Sequence, residues 1–206
     1  KDTTTVEDAA AILAKYDVLR ACGMKDCGLM ETPKDDKYFV NVRNILFVSN
    51  KTALDAMADA ARAKGFAPKV CNTCLEGEAR DAGEAMVKEL HAAPPKTALL
   101  YGGETTVTVK VKGTGGRCLE LGLSALRFIR DGEILIPFAS DGRDNTNLAG
   151  PLCDMMTRKN AEAKNLDMTA HLDENQSYRF FETTGDYLMT GETGSNVSDL
   201  IVGLKE

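Results

Sequence analysis

Apolar positions recur along this chain with two spacings, and those spacings predict its elements. Thr3 to Thr5 are placed to cap a helix over Val6–Lys15, with Glu7 and Asp8 in its first turn. A short helix over Val18–Ala21 should stop at Gly23, and Glu31–Lys37 reads as a polar loop broken by Pro33. Ile45–Ser49 is an unbroken apolar run, as in a strand buried on both faces. Leu54, Met57, Ala58 and Ala61 then fall at helical spacing, with a stop at Gly65. Ala67–Asn72 reads as a strand, and Ala79, Ala82, Met86 and Leu90 mark another helix. This alternation predicts a parallel α/β sheet.

The second half keeps the rhythm. His91–Lys96, with Pro94 and Pro95, is the expected domain boundary, dividing residues 1–92 from residues 93–206. Thr97–Tyr101 is an apolar strand. Thr105, Val107, Val109 and Val111 alternate with Thr106, Thr108, Lys110 and Lys112, predicting a half-exposed strand. A Leu-rich helix over Arg117–Arg130, a strand over Glu133–Ala139, helices over Leu152–Lys164 and Asn175–Thr183, and short strands over Tyr187–Thr190 and Leu200–Leu204 complete the pattern.

Composition narrows the function classes. The 206 residues are 43% hydrophobic and carry a net charge of −6, so neither disorder nor unspecific binding to nucleic acid or anionic lipid is expected. No apolar run is long enough to span a membrane. The expected location is the cytoplasm. Cys71 and Cys74, alone or completed by Cys22 and Cys27, fit either a zinc or redox site or a set of reduced thiols, and neither His91 nor His171 stands at ligand spacing. The chain opens KDTTTVEDAA, without Met, and reads as a piece of something longer.

Three glycine-rich polar loops follow strands, where ligands collect in open α/β sheets. In Gly113–Arg117, backbone N–H groups and a helix N-terminus suit an anion, and Arg117 offers a fork for a phosphate or carboxylate. A flexible turn with a solvated arginine fits equally well. In Ser140–Thr146, Asp141 and Asp144 suit Mg²⁺ or a substrate hydroxyl, or form a surface turn. Thr190–Asn196 is either a phosphate cradle or an ordinary connection between strands.

Read in order, YGGETTVTVKVKGTGGR (Tyr101–Arg117), FASDGRDNTNLAG (Phe138–Gly150) and ENQSYRFFETTGDYLMTGETGSNVSDLIVGL (Glu174–Leu204) resemble the type-2 glycerate kinase family, whose C-terminal half is the MOFRL domain. DTTTVEDAAAILAKYDV, METPKD and LEGEARDAG resemble the end of that family's larger N-terminal domain. The resemblance implies a two-domain α/β architecture of which this chain is the C-terminal part. It implies ATP-dependent phosphorylation of D-glycerate to 2-phosphoglycerate with Mg²⁺, in a cleft shared with a missing N-terminal domain, and a homodimer is possible. A kinase of another small hydroxy acid, or a non-catalytic binding half, are the alternatives. No dinucleotide fingerprint supports the name hydroxypyruvate reductase, which some members carry.

On this basis Arg117 and Asp141 are the expected catalytic residues. Glu104, Gly113, Gly115, Gly116, Thr193, Gly194 and Asn196 are expected to bind phosphate or substrate, and Asp144 metal. The chain departs from the family pattern at Cys118 and Leu119, usually Asn and Gln, at Asn147, usually Asp, and at Glu192, usually Pro.

Overall fold

A computed structural model describes residues 1–206, which divide into two compact units, Lys1–Phe47 and Val48–Glu206. In the first, α1 (Val6–Lys15) starts at a reciprocal cap: the Thr5 hydroxyl accepts from Asp8 N–H, while the Asp8 carboxylate accepts from Thr5 N–H. α2 (Val18–Ala21) follows at once, and a single 3₁₀ turn covers Asp36–Tyr38. None of these elements buries a side chain. The strand expected at Ile45–Ser49 does not form: Ile45, Leu46 and Phe47 are 75%, 82% and 91% exposed in irregular backbone. An apolar run specifies a strand only where another strand lies within hydrogen-bonding reach, and none pairs with this one.

The second unit holds the core. Its elements are α3 (Asn50–Ala63), β1 (Ala67–Leu75), α4 (Ala79–Ala92), β2 (Thr97–Gly103), α5 (Arg117–Leu126), β3 (Glu133–Ala139), β4 (Gly150–Pro151), α6 (Met155–Ala163), α7 (Met168–Asp173), α8 (Ser177–Thr184), β5 (Tyr187–Leu188) and β6 (Asp199–Lys205). The main sheet has the order β1-β2-β6-β3. β1 and β2 are parallel, but β6 runs antiparallel to both its neighbours, so the sheet is mixed rather than parallel. The C-terminal strand inserts between β2 and β3, pairing Leu99 and Leu135 on either side of Gly203.

Side chains alternate across the sheet and divide the core between its faces. Leu100 and Leu200 pack with Leu54 and Ala58 of α3 on one face. Leu99, Tyr101, Leu135 and Ile201 pack with α4 and α5 on the other. Every α5 residue after Arg117 is buried, because α7 and α8 cover the side of this helix that the sheet and α4 leave open. That explains its leucines on two faces. α7, which the sequence pattern did not predict, is capped by Asp167 accepting from Thr169 and Ala170 N–H.

Two further expectations fail. The chain does not divide at Pro94-Pro95: the prolines end α4, yet the connection leads straight into β2, the parallel partner of β1, making one β-α-β unit. The alternating segment Thr105–Val111 is not a strand beyond a single bridge between Glu78 and Thr106. Its N–H groups turn instead to side chains, with Lys110 N–H donating to Asn175 Oδ1 (2.9 Å) and Thr108 N–H to Glu78 Oε2 (3.3 Å).

Candidate active site

Three segments meet at the end of the sheet where β3 ends and β6 begins: the glycine loop before α5, the aspartate loop after β3 and the loop before β6. They enclose a cavity of about 500 Å³ whose lining includes Glu104, Gly113, Gly115, Gly116, Arg117, Asp141, Asp144 and Asn196. Eight of the expected site residues therefore converge. Thr193 and Gly194 do not line it. The Thr193 hydroxyl donates to Ser140 O (2.6 Å) and its N–H to Asp141 O (3.1 Å), so Thr193 ties one loop to the other. Gly194, at φ +73°, is a turn residue.

The glycines of the first loop are needed for close approach to protein atoms. A Cβ at Gly113 would stand 2.0 Å from Asn175 O, one at Gly115 2.1 Å from Ser177 Oγ, and one at Gly116 2.3 Å from the Asp144 carboxyl carbon. The loop is thus pressed between α8 and the aspartate loop, and Asn145 Nδ2 donates to Gly115 O (2.9 Å).

The N-terminus of α5, expected to receive a ligand anion, already holds one. Asp144, 3% exposed, accepts from Cys118 N–H (3.1 Å) and Leu119 N–H (2.7 Å) through its two carboxylate oxygens. Burial pushes its pKa up to about 7, against the downward pull of those two N–H groups. The metal role expected for Asp144 is corrected accordingly: this carboxylate caps a helix. No three His, Cys, Asp or Glu side chains converge as a group able to hold a metal ion.

Arg117 is the first residue of α5 and is held from two sides. Its Nε and Nη2 donate to the two oxygens of Asp199 (2.9 and 3.2 Å), and Nη1 lies 2.8 Å from Glu104 Oε1. Asp199 is 4% exposed at the head of the interior strand β6, so the guanidinium is anchored to a buried carboxylate of the sheet. The Asp199 hydrogen bonds, helped by Glu104, keep it firmly protonated. Three of five N–H donors are engaged, leaving two for a ligand.

Asp141 belongs to the opposite, more open wall. Its Oδ1 accepts from Arg143 N–H (2.9 Å) and its Oδ2 from Asn196 Nδ2 (3.4 Å). Beneath the cavity, Glu120 pairs with Arg80 (2.6 Å) at 2% side-chain exposure, and burial raises its pKa despite that partner. No site role was expected for Arg143, Asn145, Asn175 or Asp199, which also shape the site. Asn145 and Asn175 take φ of +53° and +51°, a conformation that Asn tolerates, and an acidic residue heading an apolar strand was the available sign for Asp199. Two departures from the family pattern, Cys118 and Leu119, are 1% and 0% exposed behind the wall, and Asn147 lies outside the lining.

Residues 97–199 match the MOFRL family. A glycerate 2-kinase of Pyrococcus horikoshii is 39% identical over 99% of this chain, and a D-glycerate 2-kinase of Thermotoga maritima 38% identical over 98%. The chain spans about half the length of the curated relatives it matches, 50% in both cases. The crystal structure of a glycerate kinase from T. maritima superposes on the whole chain with a TM-score of 0.82 at 36% identity, covering 51% of that structure. A P. horikoshii protein of solved structure gives 0.76 at 36% identity, over 99% of this chain and 51% of its own.

Proposed function

The chain belongs to the MOFRL family, and from that premise we propose that it is the C-terminal part of a cytoplasmic glycerate 2-kinase. The reaction moves the γ-phosphoryl group of ATP to the 2-hydroxyl of D-glycerate, giving ADP and 2-phosphoglycerate. The observation that carries this reading is the meeting of Arg117 and Asp141 across one cavity, on segments far apart in sequence. Phosphoryl transfer asks little covalent chemistry of a protein; positioning and fixed charge do most of the work.

In this reading Arg117, immobilised by Asp199 and Glu104, presents its free N–H donors to the transferring phosphoryl group or to the glycerate carboxylate. Asp141 orients the attacking hydroxyl and accepts its proton. Mg²⁺ commonly takes only one or two protein carboxylates, the rest of its shell being water and phosphate. Asp141, a half-buried carboxylate in the lining, would be the protein ligand of such a shell, directly or through water. The metal, when bound, would offset negative charge on the phosphates. The ATP-binding half is assigned to sequence outside these residues, in keeping with the half-length match.

The test is ³¹P NMR of the protein at its natural length with ATP, Mg²⁺ and D-glycerate. We expect 2-phosphoglycerate to form in step with ADP, and no turnover by residues 1–206 alone, which hold one side of the cleft. Turnover by this chain alone, or no phosphorylated acid from the longer protein, would contradict the reading.

A further inference from the structure

The cavity lining contains two arginines, and they are held very differently. Arg117 is fixed on both sides by Asp199 and Glu104. Arg143 has its root fixed and its head loose. Its backbone N–H donates to Asp141 Oδ1 at 2.9 Å, while its guanidinium is 62% exposed with one ion pair, to Glu192 at 3.2 Å. Glu192 is itself 74% exposed. Exposed pairs of this kind exchange readily, because water screens them and both long side chains lose freedom in forming them. Glu192 sits on the loop before β6 and Arg143 on the loop after β3, so the pair spans the two loops that Thr193 ties together.

The lining also carries Glu104, Glu120, Asp141 and Asp144 against these two cations, an acidic wall for a ligand that is itself an anion. Glu120 is matched by Arg80, and the fork of Arg117 is matched by Asp199. Arg143 is therefore the lining cation with the most unengaged charge.

We propose that Arg143 is a binding residue for the phosphorylated product, which carries two anionic groups where D-glycerate carries one, and that Glu192 holds its place until that product takes over the guanidinium. This rests on the kinase reading above. A 2-phosphoglycerate molecule presents a carboxylate and a phosphate; Arg117 engages one and Arg143, turning from Glu192, engages the other. A planar guanidinium forms a bidentate pair with either group. By competing for Arg143, Glu192 weakens product binding and so favours its release.

The experiment is isothermal titration calorimetry of 2-phospho-D-glycerate into the protein at its natural length, comparing wild type, Arg143→Ala, Arg143→Lys, Glu192→Gln and the double variant Arg143→Ala/Glu192→Gln. Melting temperatures check that each variant is folded. Arg143→Ala should weaken binding at least tenfold and Arg143→Lys less. Glu192→Gln should tighten it several-fold, and that gain should vanish in the Arg143→Ala background, since the glutamate acts only through the arginine. Inorganic phosphate, with one anionic group, should respond weakly to both substitutions. Unchanged affinity in Arg143→Ala, or a Glu192→Gln gain that survives without Arg143, overturns the proposal while the kinase reading stands. If wild type does not bind 2-phosphoglycerate, both fall.

Discussion

The two walls of the cavity are built on opposite principles. On the α5 side, Asp144 and Asp199 are almost wholly buried, and their carboxylates accept from backbone N–H groups or from the Arg117 fork. On the loop side, Asp141, Arg143 and Asn196 remain in reach of water and hold one another by a few contacts. Two aspartates three residues apart thus have different work: Asp144 shapes the site, and Asp141 is free to act in it. The difference teaches that a carboxylate's place in a loop motif says little about its role until the donors around it are known.

That contrast breaks most visibly under substitution. In the natural-length protein, Arg117→Ala should lower kcat by two to four powers of ten, about 3–5 kcal/mol of transition-state stabilisation. It also strands the buried charge of Asp199, so the melting temperature should fall. Adding Asp199→Asn should restore much of the stability without restoring turnover, which separates the clamp's structural part from its catalytic one. Asp141→Asn should cost turnover on a similar scale while leaving the urea midpoint near wild type.

Asp144→Ala should do the reverse, with stability as its first casualty. Two buried N–H groups lose their acceptor, and with about 1–3 kcal/mol for each we expect a loss of about 3 kcal/mol in urea unfolding. If Asp144→Ala leaves stability intact and abolishes turnover, the division between the walls is wrong.

A smaller effect follows from the titration of Asp144. Its pKa rises from 3.8 to about 7 on folding, so between those values the folded chain holds the extra proton. The stabilisation linked to this group is therefore complete below about pH 4 and is lost as pH rises through about 7. Thermal melts between pH 5 and 8 should show this downward slope, and Asp144→Asn should flatten it. A slope of the opposite sign in wild type that Asp144→Asn removes would contradict the burial argument. The smallest change is expected for Thr193→Val, which removes the hydroxyl that bonds Ser140 O and should cost about 1 kcal/mol of stability with little effect on product affinity.

Much of the second unit was legible in the sequence. The helical spacing of Leu54, Met57, Ala58 and Ala61 and of Ala79, Ala82, Met86 and Leu90, and the apolar runs at Thr97 and Glu133, fix elements whose register the local pattern already carries. What misled was pattern without a partner. Ile45–Ser49 has the composition of a buried strand and no strand beside it, and Thr105–Val111 alternates while its N–H groups turn to Asn175 and Glu78. The insertion of β6 between β2 and β3 is a long-range choice that no local spacing reveals. At the site, the order of the three loops and the glycines marked where the cavity lies. The capping role of Asp144 and the clamp of Asp199 on Arg117 depend on residues 25 and 82 positions away, beyond the reach of a motif.

The central claim is that these loops form one pocket for a phosphorylated hydroxy acid. Amide hydrogen exchange of the natural-length protein, with and without 2-phosphoglycerate, tests it most directly. The account predicts added protection over residues 113–117 and 141–145 together, with the β1 edge around Lys69–Leu75 unchanged. Protection confined to other segments, or none in these two loops at saturating ligand, would contradict it.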